Sequence, residues 1–264
     1  MMAKRQNRSM GTELRENQVI VTAKRALGLN KFYIAIAIII GLGVLFLLNP
    51  TYTYLSKSSG SSAHSIRIGS VTSIQTGASG NQALPLLAVP FNVLPMMMLT
   101  TPMVILFVYD KNNGVLEYLL SLGMTQRDIY TRYLKAALLV AVSYLLVFGT
   151  LNLLYSFASF GTTYLSAMLM ILGIGALIAV STVAFIITMM MIFSSLQKSR
   201  SGGNQPMAIT LGLVGVLPGY FIPFIFPYNT AIAVEIVQGA IIAIVALALI
   251  FMSSRLINRE KFLP

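Results

Sequence analysis

The sequence predicts an all-α integral membrane protein: six transmembrane helices with an N-terminal interfacial helix, a short cytoplasmic helix after the second span and a broken or re-entrant segment before the last. Three observations carry that expectation. First, 56% of the 264 residues are hydrophobic, only 9% are charged, and the mean hydropathy is +0.81. A soluble domain is about 45–50% apolar and about 25% charged, so this much apolar surface has no place in a water-soluble core. Second, there are six apolar runs, at approximately 32–48, 86–109, 136–155, 164–193, 206–222 and 230–252. About 20 apolar residues in a helix cross the hydrocarbon layer. Third, 16 of the 18 Lys and Arg residues fall in alternate segments around these runs, and only Lys57 and Arg67 fall in the others. With both termini in the cytoplasm every internal segment then obeys the positive-inside rule. The chain reads as one multi-pass domain, 1–264, in the plasma membrane.

Composition narrows the chemistry. Cysteine is absent, which excludes disulfides and thiolate metal sites. The single histidine, His64, excludes a histidine-cluster metal site. A net charge of +11 suggests nucleic acid in a soluble protein; here the bases serve as topology signals and contacts to anionic headgroups. No metal and no nucleic acid are expected.

Residues 1–31 are polar and basic, and the apolar run after them begins too late for a secretory signal peptide. Residues 12–29 suit a helix lying in the headgroup plane, with Ile20, Ala23 and Leu27 on one face. The first span ends at Asn49-Pro50, and residues 50–85, rich in Ser, Thr and Gly, form an external loop. The second span carries Pro90, Pro95 and Pro102, which free carbonyls and kink a helix. Its Met96-Met97-Met98 run suggests copper(I). Three consecutive residues point around a helix, however, so soft packing is the better account, as for Met189-Met190-Met191.

Tyr109 to Lys135 is an island of charge between apolar runs, holding Asp110, Lys111, Glu117, Arg127, Asp128, Arg132 and Lys135. Val115 to Leu122 reads as a short amphipathic helix, with Val115, Leu116, Leu119 and Leu122 as its apolar face. Gly123 supplies a left-handed stop. Thr125 caps a second helix, with Asp128 three residues on as in a capping box. Asp128 and Arg132 have the favourable i,i+4 order. Such a segment reads as a docking surface.

The third span leads through a short turn to the fourth, whose 164–193 run is long for one crossing and implies tilt or protrusion. Ser201-Gly202-Gly203-Asn204-Gln205 echoes the L-S-G-G-Q signature of ATP-binding-cassette ATPases. The chain has no G-x-x-x-x-G-K-[ST] phosphate loop, so the echo is set aside as a loop. Pro218, Pro223 and Pro227 amid Tyr220, Phe221, Phe224, Phe226 and Tyr228 predict the broken segment at the outer interface. Glu235 is the acid nearest membrane depth. With Gln238, Phe224 and Tyr228 it forms a candidate outer gate or vestibule; reaching headgroups by its stem is the other reading. No acid pair, Ser–His pair or H-E-x-x-H offers catalysis.

The charged island resembles that of permeases of the type-2 ABC transporter family. Asp110 matches their acidic residue at the end of the second span. Gly114-Val115-Leu116-Glu117-Tyr118-Leu119-Leu120-Ser121 matches their Gly-Thr-Leu-Glu-x-Leu-Leu-like helix. Gly123 to Ile129 matches the following turn and helix start. Val115 stands where Thr is usual and Gly123 where Pro is usual. The resemblance implies that this segment, 110–135, is a coupling helix docked on a separately encoded ATPase, through Asp110, Gly114, Val115, Leu116, Glu117, Leu119, Leu120, Ser121, Gly123, Arg127 and Asp128. It further implies two ATPase subunits per complex, a second copy of this chain or a similar permease, and a pathway at the dimer interface lined by the first, second and fifth spans. ATP and Mg would sit on the partner ATPase, with no cofactor and no hydrolysis in this chain. An exporter of a lipidic, glycan, peptide or drug-like substrate is expected. A membrane scaffold docking another cytosolic protein is the alternative, and a secondary carrier a further one, though no charged relay or inverted repeat supports it.

Overall fold

The computed structural model describes residues 18–29, 31–43, 88–160, 165–193, 217–218, 221–222, 225 and 228–257. Among them the chain is all-helical. The helices are α1 (Gln18–Leu29), α2 (Lys31–Gly43), α3 (Ala88–Asn112), α4 (Val115–Ser121), α5 (Gln126–Phe160), α6 (Leu165–Ile192) and α7 (Tyr228–Leu256). Four of them, α3, α5, α6 and α7, are long and apolar enough to cross a bilayer. The chain is therefore built as a membrane protein. The expected external loop 50–85 lies outside the described residues, and so do most of the expected fifth span and of the broken segment.

The helix boundaries have local causes. α3 runs through Pro95 and Pro102 as one helix and continues past the expected end of the second span to Asn112. Apolar neighbours enclose it, leaving the backbone no water to turn towards. The third span and the capped helix before it prove to be one 35-residue helix, α5. Nothing between Gln126 and Phe160 breaks the pattern: there is no proline, and Gly149 is the one glycine. At 1.5 Å per residue α5 is roughly 50 Å long, so it protrudes beyond ~30 Å of hydrocarbon. Threonine hydroxyls inside the spans donate to carbonyls of their own helix. Thr100 donates to the Met97 carbonyl at 2.6 Å, Thr182 to Ile178 at 2.7 Å and Thr188 to Ala184 at 2.7 Å, so these buried polar groups are satisfied without water.

Helix directions follow from a few contacts. Asp110 at the end of α3 meets Tyr133 near the start of α5. Thr188 near the end of α6 shares a hydrogen bond of 2.9 Å with Tyr130. Ser253 and Ile257 at the end of α7 line a cavity with Tyr130. Three helices thus finish where α5 begins, so α3, α6 and α7 run one way and α5 the other. Thr22 of α1 accepts a hydrogen bond from Arg132 at this same end. α2 then climbs beside α5, since Gly41 lies against Tyr144 and Phe148.

α6 is the central post, packing on α3, α5 and α7. Buried Met96, Met97, Met103 and Phe107 of α3 and Ile186, Ile187, Met190 and Met191 of α6 form the core. The methionine runs are packing residues. Of the apolar window of α3, 72% is buried within the chain, against 17% for α7. The outward faces of α5 and α7 carry Leu146, Val147, Ile241, Ile244 and Phe251, apolar surface suited to lipid or a further copy.

Gly41 is required by this packing. A Cβ there would stand 2.6 Å from both Phe148 and the Tyr144 hydroxyl, whose rings are stacked at 4.5 Å. Gly43 has open space around it. Gly41→Val is expected to destabilise the chain by about 1–3 kcal/mol, the usual range for overpacking, and Gly43→Val to leave it nearly unchanged. Thermal unfolding in detergent measures both.

Candidate functional site

The charged end of the bundle is built around two left-handed glycines. Gly114, at φ 71°, ends α3 and starts α4. Its N–H donates to the Lys111 carbonyl at 3.2 Å, and its own carbonyl accepts from Tyr118 N–H at 3.0 Å. Gly123, at φ 83°, closes α4. Its N–H donates to the Leu120 carbonyl at 3.1 Å and that of Met124 to Leu119 at 3.2 Å, the paired bonds of a Schellman stop. A side chain at either position would be strained. The capping box at the start of α5 is present as the sequence implies. Thr125 Oγ1 donates to Asp128 Oδ2 at 2.7 Å, and Asp128 N–H donates back to Thr125 Oγ1 at 3.2 Å.

The orientation of α4 differs from the one its pattern suggests. Leu116 is completely buried, and Leu119 and Leu120 are half-buried against the core. Leu122 is instead 61% exposed and Tyr118 63% exposed. Leu122 is the helix C-cap, where the backbone has already left helical geometry (ψ 5°), so its side chain departs from the 3.6-residue stripe. The face turned outward is Glu117, Tyr118, Ser121 and Leu122. The face available to another molecule is therefore the opposite of the leucine face.

Beneath α4 lies a buried ionic knot. Asp110 is 2% exposed. Its Oδ1 meets Arg25 Nη2 at 2.7 Å as an ion pair rather than an aligned hydrogen bond, and its Oδ2 accepts from Arg25 Nη1 at 3.3 Å and from the Tyr133 hydroxyl. Phe107 packs edge-on to the Tyr133 ring, with centroids 5.3 Å apart. From the residue just before Tyr133 on α5, Arg132 Nε donates to Thr22 Oγ1 at 2.6 Å. Helix α1 is thus tied to α3 and α5 from one face, carrying Thr22, Ala23 and Ala26, while Ile20 and Val21 turn outward. The expectation that Ile20 and Ala23 share one face is corrected: Thr22 and Ala23 pack inward, and Ile20 turns out.

A cavity of about 480 Å³ opens between the α4–α5 turn and the last turn of α7. Leu120, Met124 and Ile257 give it apolar walls, and Thr125, Arg127 and Ser253 a polar rim. Of the residues expected to couple to an ATPase, Asp110, Gly114, Leu116, Leu119, Leu120 and Gly123 hold this end together. Glu117, Ser121 and Arg127 are at its surface, and Asp128 caps α5. Val115 is half-buried.

The residues expected at the opposite end are only partly described. Phe224 and the side chain of Tyr228 lie outside the described residues. Glu235 is fully buried, so in this conformation it faces protein rather than open water, and Gln238 follows one turn on, half-buried. The sequence reading missed Arg25, Thr22 and Tyr133. Arg25 is 85 positions from Asp110 and stands in a basic tail where nothing marks it; the one hint is that an acid at the end of a span needs a cation. No protein-family profile, curated protein or solved structure matches this chain.

Arg25→Ala leaves Asp110 buried beside Tyr133 with its charge uncompensated. Arg25 is 43% exposed, so the loss is expected between the ~1 kcal/mol of an exposed pair and the ~3–5 kcal/mol of a fully buried one. In an Asp110→Asn background the same substitution is expected to cost much less. A double-mutant cycle on unfolding in detergent reads the coupling directly.

Proposed function

We propose that the chain is the transmembrane permease subunit of an ATP-driven, ABC-type exporter. A separate ATPase docks on the outward face of α4 and supplies the energy. The observation that carries this reading is the construction of the 110–135 segment. A short helix is held between two glycine turns with its leucine face buried. It presents Glu117, Tyr118, Ser121 and Leu122 outward beside the cavity rimmed by Arg127. Aromatic and apolar groups framed by charges are what a protein interface uses. A loop that only linked two spans would not need its inner face packed, its far end stopped and the next helix capped.

Topology supports the same reading. Lys24, Arg25, Lys111, Arg127, Arg132, Lys135 and Arg255 gather at the end of the bundle that holds α4, which the positive-inside rule assigns to the cytoplasm. α6 and α7 both finish at that end, as a fifth crossing between them would require. With that crossing and a first span continuing from α2, the reading has six crossings and both termini in the cytoplasm. The apolar outward faces of α5 and α7 suit the bilayer and a second copy. Two ATPase subunits would then serve a dimer, each holding its own ATP and Mg, and closing them would move the permease halves as near-rigid bodies.

The test is co-purification with an ATPase subunit that carries a phosphate loop and an L-S-G-G-Q signature and is co-expressed from the same source. Tyr118→Asp with Leu122→Asp is expected to reduce the bound ATPase at least tenfold while leaving thermal unfolding unchanged. Leu116→Asp is expected to lower the unfolding midpoint itself. Full ATPase binding by the Tyr118/Leu122 double variant contradicts the proposed docking face.

A further inference from the structure

Glu235 stands apart from the other acids of the described chain. Asp110 has Arg25 and Asp128 has its cap. Glu235 is 0% exposed, and among the described residues neither of its carboxylate oxygens has a hydrogen-bond partner. It sits in the second turn of α7, about 8 Å along the span that begins at Thr230. Gly239 lies four residues on and therefore on the same helix face. That face is pressed against α6: a Cβ on Gly239 would stand 3.0 Å from Ile178 and 3.2 Å from Leu177. No residue of α6, Leu165–Ile192, is ionisable. Gln238 adds an amide whose oxygen is also buried.

A carboxyl group enclosed by apolar groups either keeps its proton or, once ionised, needs a positive charge opposite it. The six apolar runs contain no Lys or Arg. Arg255 lies 20 residues further along α7, at the other end of the bundle. A cation that paired with Glu235 would therefore come from outside the spans. Next to Glu235, Ile236, Val237 and Ile241 face outward as lipid-exposed surface. A molecule with a cationic head and an apolar tail could place its head at Glu235 while its tail stayed in the bilayer.

We propose that Glu235, assisted by Gln238, is the binding site for the cationic head of an amphiphile, an alkylammonium, entering between α6 and α7 from the outer half of the membrane. This names a cargo class for the transport reading and rests on it for purpose, yet binding is a property of this chain alone. The experiment uses the full chain in phosphatidylcholine nanodiscs without ATPase, with radiolabelled dodecyltrimethylammonium as probe and empty discs subtracted. Saturable binding is expected that neutral dodecyl maltoside does not displace. Glu235→Gln is expected to weaken it at least tenfold, Glu235→Asp only a few-fold, and Glu16→Gln not at all. Dicyclohexylcarbodiimide, which attacks carboxyl groups in apolar surroundings, gives a second readout on the unmutated chain: it is expected to label Glu235, and saturating dodecyltrimethylammonium to block the label. Equal binding by Glu235→Gln, or undiminished labelling in the presence of the cation, overturns the proposal. Failure of ATPase docking with this binding intact would count against the coupling reading alone.

Discussion

The charged end of the molecule depends on one buried carboxylate. Asp110 ends a span whose core is sealed by Met103, Leu106 and Phe107, so its charge has no water to rely on. A buried charge without a partner is among the most costly features a fold can carry. Arg25 and Tyr133 answer it from two other helices. That one requirement draws α1 under the bundle, fixes how far α5 slides along α3, and leaves Gly114 to turn the chain into α4. Arg132, next to Tyr133, ties α5 to α1 again through Thr22, one turn before Arg25. The ion pair is specific in a way that apolar packing between featureless helices is not: the spans could slide past each other at little cost without it.

This arrangement explains how a seven-residue helix holds its place. Isolated helices of that length are unstable in water. α4 persists because Leu116 is anchored in the core, Gly123 completes the terminal hydrogen bonds, and Thr125 with Asp128 starts α5 immediately afterwards. Force applied to Tyr118 or Leu122 therefore reaches α3 through Gly114 and α5 through Thr125, over short stretches of hydrogen-bonded backbone. The same construction leaves the outer surface free to be specific. Charged and aromatic side chains project from a platform whose stability does not depend on them.

The sequence made much of this legible. Long apolar runs locate α3, α5, α6 and α7, because a membrane-spanning helix must be apolar throughout and few charges interrupt it. Gly114, Gly123 and the Thr125–Asp128 spacing mark the turns, since each is a local rule about one residue's backbone or one side-chain reach. What was not legible is orientation. Val115, Leu116, Leu119 and Leu122 form a plausible stripe, but Leu122 is the cap residue and escapes it. α1 likewise turns to satisfy Arg25, not Ile20. In both cases a tertiary constraint from a distant acid or a helix end overrides the apolar pattern. Glu235 could be singled out by its charge in an apolar run; that it faces α6, which has no ionisable residue, required the packing of Gly239.

The central claim is that α4 moves as one body with α3 and α5. The chain has no cysteine, so paired spin labels can be introduced without background. Labels at Ser121 and Lys135, both exposed, should give a single narrow distance that is the same in the isolated chain and in complex with the proposed ATPase, with and without ATP. Over the same states the distance between Ser121 labels on two copies should change. A Ser121–Lys135 distance that broadens or shifts with ATP would mean that α4 swings on its glycines, and would contradict the account.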